Sequence, residues 1–242
     1  PYFLLMEWIK KINKILYKNY ADNWDDEIFR KRIVSNMNSD SICLDLAAGA
    51  GIISQMNFRG AARAVHGIDL DERVLENPYL DHATVGNCEK LPYSNETFDL
   101  VIADNLLEHL EKPDLVFREV SRVLKTGGKF LFKTPNKFHY MPLISSLTPH
   151  SFHKWYNNLR GRETEDTFPT LYRANSKGDI KRLTKELSLK IDNLSLIEGR
   201  PEYLKINVLL YILGAIYERI VNLLPFFSSF RILLIGELKK IK

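Results

Sequence analysis

The sequence predicts an α/β protein built on a doubly wound, mostly parallel sheet, and three features predict it. Residues 42–46 form an apolar run, Ile-Cys-Leu-Asp-Leu, that ends directly at a turn of small residues, Ala47-Ala48-Gly49-Ala50-Gly51. A second apolar run, 64–68, closes on Asp69, eighteen residues past that turn. Further apolar runs at 98–103 and 128–134 flank a segment in which Leu115, Val116, Val120, Val123 and Leu124 recur at helical spacing. Strands buried on both faces read as continuous apolar runs, and their alternation with helices places a ligand at the carboxyl ends of the strands.

In order along the chain, a helical cap is expected over 1–38, with a basic amphipathic stretch at 2–20 and a second helix at 25–37. Strands follow at 41–46, 64–69, 82–86, 98–103 and 128–134, with a helix at 113–124 before the fifth. A helix at 177–187, a strand near 189–197 and a last strand near 230–238 complete the set. Two stretches fall outside this pattern. Residues 136–175 would form a lid insertion after strand 5, and 201–228 an apolar helical insertion before the last strand. At 242 residues with 45% hydrophobic content, the chain suits one domain over 1–242 and is short for two. A net charge of +4 gives no general footprint for nucleic acid. Two cysteines, Cys43 and Cys88, do not make a disulfide framework, so a cytoplasmic location is expected.

The chemistry lies in the first turn. Glycines there let the backbone approach a ligand that a Cβ would push away, and an acidic side chain ending the next strand can accept from a ribose diol. The bland alternative for Asp69 is the N-cap of a helix beginning at Asp71. Ser54 stands where a third glycine of G-x-G-x-x-G would be, which disfavours a pyrophosphate-bearing dinucleotide. The motifs continue in order with Gly86-Asn87-Cys88-Glu89-Lys90-Leu91-Pro92, Phe98-Asp99-Leu100-Val101-Ile102, Glu108-His109, Arg122-Val123-Leu124-Lys125-Thr126-Gly127-Gly128 and Thr134-Pro135-Asn136.

Across roughly 30–136 these segments resemble the class I S-adenosylmethionine-dependent methyltransferases, in the type 11 and quinone-biosynthesis-like branch. The resemblance implies a Rossmann-like seven-stranded sheet, S-adenosylmethionine as cofactor and S-adenosylhomocysteine as product. Asp45, Ala47, Gly49 and Gly51 would then face the methionine part of the cofactor. Asp69, followed by Leu70, would hold the ribose hydroxyls, and Asn87 and Cys88 the adenine. Asp104 and Asn105 would line the methionine end or cap the next helix. The chain departs from the family where Ala47-Ala48 replaces Gly-Cys and Asn87 replaces Asp. Ala47 is expected at negative φ.

A sulfonium methyl is already activated, so alignment of donor and acceptor is the main demand, worth roughly 7 to 11 kcal/mol. A hydroxyl acceptor calls in addition for a base, and His109 or His139 is expected to supply it. The lid contains His139, Tyr140, His150, Phe152, His153, Trp155, Tyr156, Arg160, Arg162, Phe168, Tyr172 and Arg173, a set suited to a ring-bearing polar acceptor such as a sugar. The histidines at 139, 150 and 153 lack the carboxylate spacing of a catalytic metal, so no metal is expected. Tyr20 and Trp24 either close over the cofactor or pack between helices. The run 208–217 is too short to span a bilayer. It packs on the domain, forms a homodimer contact, or lies in a membrane surface. The expected activity is O-methylation of a sugar or glycolipid intermediate. A lipid quinone or phospholipid headgroup is the second acceptor, and a non-catalytic binding module the alternative.

Overall fold

The computed structural model describes residues 2–18, 20, 23–148 and 169–242. Its centre is a seven-stranded sheet in the order β3-β2-β1-β4-β5-β7-β6. The strands are β1 Ile42–Leu46, β2 Ala64–Asp69, β3 His82–Val85, β4 Phe98–Asp104, β5 Leu124–Pro135, β6 Leu189–Ile197 and β7 Leu233–Lys240. The first five pair in parallel, and β7 lies antiparallel between β5 and β6. The helices are α1 Tyr2–Leu16, α2 Trp24–Val34, α3 Pro113–Val123, α4 Tyr140–Leu147, α5 Lys177–Thr184 and α6 Val208–Leu223.

Alternation along the strands divides the core into two layers. Leu44, Val101, Phe130 and Phe132 point to the side covered by Val116, Phe117 and Val120 of α3 and Ile180 of α5. Cys43, Val65, Leu100, Ile102 and Leu131 point to the other side, against Phe29 and Ile33 of α2. The same parity sends Asp45, Asp69, Asp104 and Lys133 to the α2 side, at the carboxyl end of the sheet.

The expected strand and helix alternation is incomplete in the first half. The β1 to β2 crossover holds only a 3-10 turn, Ser54–Met56, and the β2 to β3 crossover another, Glu72–Glu76. The first crossover is interrupted by Asn57, in extended backbone, and by Gly60 at φ +80, so no amphipathic helix can run through it. The cap helix α2 covers the face instead, with Phe29 and Ile33 fully buried beside Phe58 of that crossover. The last strand begins at Leu233 rather than 230, because Pro225–Phe230 forms a further 3-10 turn.

Candidate active site

The small-residue turn after β1 is held from three directions. Ala47 and Ala48 donate backbone N–H bonds to the Ile68 carbonyl at 2.8 and 3.3 Å, which ties the turn to β2. The Gly49 N–H donates to Asp69 Oδ2 at 2.8 Å, while Asp69 Oδ1 accepts from the Asp71 N–H at 2.9 Å. From beneath, Asn77 Nδ2 donates to the carbonyls of Ala48 and Gly49, both at 3.0 Å. The Asp69 carboxylate is therefore a fixed acceptor with lone pairs to spare, the condition for gripping a diol. Asp71, not Asp69, caps the short turn that follows.

The two glycines serve different ends. Gly49, at φ +53, has nothing within 4 Å of where a Cβ would stand, so its face is open to a ligand. A Cβ on Gly51, at φ +73, would come within 2.4 Å of Asn77 Oδ1, so this glycine is required by packing. Ala47 stands at φ +58, contrary to the negative φ expected of it. The turn geometry that places Gly49 overrides its preference at a cost of about 1–2 kcal/mol.

Three carboxylates converge beside this turn. Asp45 is buried, and burial, with Asp104 and Asp69 nearby, holds its carboxyl well above the usual range. Asp104 is pushed up to about 6, chiefly by burial and against the pull of Lys133. Its Oδ1 takes Lys133 Nζ at 3.0 Å and Asn105 Nδ2 at 2.9 Å, whereas its Oδ2 is buried with no partner. Lys133 is fully buried and also meets Asp25 at 3.1 Å and Asp26, at the start of α2. A buried acceptor without a donor beside a glycine face with open space fits an amino acid ammonium and its backbone. Asn105, at φ +51, closes the same end by donating its N–H to the Lys133 carbonyl.

Where the resemblance would place the adenine, Asn87 is exposed and its Oδ1 already accepts the Glu89 N–H at 2.8 Å. Leu70, 72% exposed beside Asp69, offers an apolar surface for a purine ring. Cys88 is buried against the Ala47 backbone with its thiol pushed up to about 12, so it shapes the pocket as a neutral group.

The two histidines have separate fates. His109 ends the 3-10 turn Leu107–His109 after β4, half-buried, with Nδ1 2.8 Å from the Pro169 carbonyl. His139 is buried rather than set at the rim. Its ring lies against Tyr140 and Tyr217, Nδ1 accepts the Met141 N–H at 3.2 Å, and Nε2 faces Glu198 at 3.6 Å without a hydrogen bond. Burial pushes His139 down to about 3 and Glu198 up to about 8. Such an imidazole stays neutral and lies away from the rim at which a base was expected, packed between aromatic rings.

Trp24 also packs. Its ring lies where a Cβ on Gly199 would stand and meets Tyr20 edge-to-face at 6.0 Å. Arg173 donates to the Glu111 carbonyl at 2.6 Å. The other lid residues named above, His150, Phe152, His153, Trp155, Tyr156, Arg160, Arg162 and Phe168, lie outside the described residues. Among the described residues no group of three or more His, Cys, Asp or Glu is placed to hold a metal ion.

Asn77, Lys133 and the Asp25-Asp26 pair were not legible as site residues. A lysine on the apolar strand Phe130-Leu131-Phe132-Lys133, at the parity of the buried Leu131, was the available signal.

Fold and site together define a protein that binds an adenosyl amino acid at the carboxyl edge of a doubly wound sheet. A family model described as a methyltransferase domain matches residues 44–132. The ubiquinone biosynthesis O-methyltransferase of Neisseria meningitidis (serogroup A, strain Z2491) is 29% identical over 171 residues, 57% of this chain and 71% of that enzyme. The enzyme of the same name from Pseudomonas syringae pv. tomato is 33% identical over 128 residues, 48% of this chain and 50% of its own length. Among solved structures, a methyltransferase in complex with the Haloferax volcanii Trm112 methyltransferase activator superposes with a TM-score of 0.60 at 16% identity, over 90% of each chain. Haemonchus contortus phosphoethanolamine N-methyltransferase 2, solved with S-adenosylhomocysteine, gives 0.57 at 15% identity, over 92% of this chain and 54% of its own. Residues 44–132 of the chain form a methyltransferase domain of the class I S-adenosylmethionine-dependent kind, similar to that of the ubiquinone biosynthesis O-methyltransferases.

Proposed function

We propose that the chain methylates a hydroxyl group on a small sugar or glycolipid intermediate. Bound S-adenosylmethionine supplies a sulfonium methyl already activated for transfer. Asp69 holds the ribose, Asp104 receives the ammonium with the buried Asp45 beside it, and the open face of Gly49 lets the methionine part lie against the backbone. The observation that carries the hydroxyl reading is His109. A hydrogen bond from Nδ1 to the Pro169 carbonyl fixes the ring and, in the neutral imidazole, assigns the acceptor role to Nε2. An acceptor that loses a proton on methylation needs such a group, and its worth is about 10² to 10⁴ in rate.

A lipid quinone or a phospholipid headgroup is the second reading. The names of the curated relatives, ubiquinone biosynthesis O-methyltransferases, favour it, and it asks for the same hydroxyl chemistry in the quinone case.

Transfer of labelled methyl from S-adenosylmethionine into fractionated cell extract, followed by identification of the labelled product, separates the two acceptors. With that acceptor in hand, His109→Gln should lower the single-turnover rate by about 10² to 10⁴ and leave cofactor affinity unchanged. A full rate in this variant would remove His109 from the chemistry.

A further inference from the structure

Helix α6 is apolar on two faces. Tyr211, Gly214, Ala215 and Val221 turn inward, while Leu209, Ile212, Leu213, Ile216, Ile220 and Leu223 are exposed. At about 100° per residue the exposed six fall within about a third of the helix circumference. That stripe runs the length of the helix without a charge, to Leu223 at 78% exposure, and continues past its end with Phe226 83% exposed. A continuous apolar surface of this kind marks an interaction site.

Helix α1 widens it. Tyr211 Oη donates to Asn13 Oδ1 at 2.5 Å, Tyr17 Oη to Glu218 Oε2 at 3.3 Å, and Arg219 Nη2 to the Leu16 carbonyl at 3.1 Å. Residue numbers rise together along both helices, so the two run side by side in the same direction. On α1, Trp8 and Ile15 stand about a quarter turn from the packed Leu5, Ile9 and Ile12. On α6 the stripe stands about a third of a turn from the packed Tyr211 and Ala215, in the opposite rotational sense. For parallel neighbours, opposite senses put both sets on one side. Trp8 and Ile15, 57% and 73% exposed, therefore extend the stripe of α6.

Charge selects the occupant. Lys10, Lys11, Lys14 and Lys18 are exposed on and after α1 against a single acidic residue, Glu7, and Arg219 borders the stripe on α6. The Lys11 ammonium lies 5.0 Å from the Trp8 ring, at the junction of basic and apolar surface. A second copy would bring the same lysines against these, whereas anionic headgroups complement them. Topology sets the direction. Because β5 and β6 both run antiparallel to β7, α6 leaves the sheet at the end of β6 and returns at Leu233, opposite Pro135 at the carboxyl end of β5. The stripe therefore belongs to the end of the sheet that bears the cofactor crevice.

We infer that α1 and the outer stripe of α6 form a docking surface for an anionic lipid bilayer. The apolar side chains enter the acyl boundary while the lysines reach the headgroups. Among the described residues no helix is long and apolar enough to cross a membrane, so the contact is interfacial. The inference stands apart from the choice of acceptor.

Flotation of the full chain with phosphatidylcholine vesicles, with and without phosphatidylglycerol, tests it. Binding should require phosphatidylglycerol and fall with added salt. Each of Lys11→Gln and Lys14→Gln should weaken it about fivefold. A Leu209→Glu/Leu213→Glu variant, which leaves the inward face of α6 intact, should lose flotation while retaining its melting temperature and its affinity for S-adenosylmethionine. Absence of flotation by the wild type, equal flotation of this variant, or a dimer that the same variant dissolves without any vesicle binding would overturn the inference. Cofactor affinity is read in the same samples, so loss of docking and loss of the methyltransferase site are told apart.

Discussion

At the scale of single residues, the first turn shows a geometry that outweighs a side-chain preference. Ala47 at φ +58 occupies a conformation that costs an alanine about 1–2 kcal/mol, and a glycine there would lose about 0.4–1 kcal/mol to greater freedom in the unfolded chain. Ala47→Gly should therefore leave stability unchanged or raise it by up to about 1.6 kcal/mol. Gly51→Ala should do the reverse, because its methyl would strike Asn77 as well as meet a positive φ. Paired thermal melts of the two variants check the contrast. The carboxylates give a pH dependence. Asp104, raised to about 6, is partly protonated below that value and cannot then receive an ammonium. Cofactor binding favours its ionised form, so affinity should weaken as pH falls from 8 to 5, with protons released on binding near pH 6. In the free chain the sign is opposite. A carboxyl raised on folding stabilises most below its unfolded value and loses that contribution as pH rises through about 6. Calorimetry in buffers of different ionisation heat would detect the proton release.

At the scale of elements, the parallel strands were legible because burial on both faces writes itself as apolar runs. The runs read at 41–46, 64–69 and 98–103 agree with β1, β2 and β4 to within a residue. The helix at 113–124 was legible from its period, and the structure ends it at Val123. The missing crossover helices were not legible, since the cover for that face comes from α2, an element the local sequence of the crossover says nothing about. His139 illustrates the same limit. Its neighbours Glu198 and Tyr217 lie far along the chain, and no spacing rule brings them to it. The tie between α2 and the site is Lys133. Lys133→Met would leave Asp25, Asp26 and Asp104 without their cation, and breaking a buried pair in this way costs about 3–5 kcal/mol. Denaturant unfolding should register that loss, together with a weaker hold on the cofactor. An unchanged midpoint would show that α2 is held by its apolar face alone.

At the scale of the whole molecule, one end of the sheet collects the groups on which the proposed chemistry rests. The glycine face, three carboxylates and His109 stand there, and the α6 insertion enters and leaves at the same edge. The other end carries contacts such as Lys125 with Asp99 at 2.9 Å and the Lys240 ammonium on the Leu124 carbonyl at 2.7 Å. The central claim is that Asp69 holds the ribose of S-adenosylmethionine while its backbone partners hold Asp69. Titration calorimetry of the wild type and of Asp69→Asn tests it most directly. The wild type should bind one equivalent of S-adenosylmethionine, and Asp69→Asn should bind about ten- to a hundredfold more weakly, the loss expected when a charged hydrogen-bond acceptor becomes neutral. A folded wild type that shows no binding, or an Asp69→Asn variant with undiminished affinity, would contradict it.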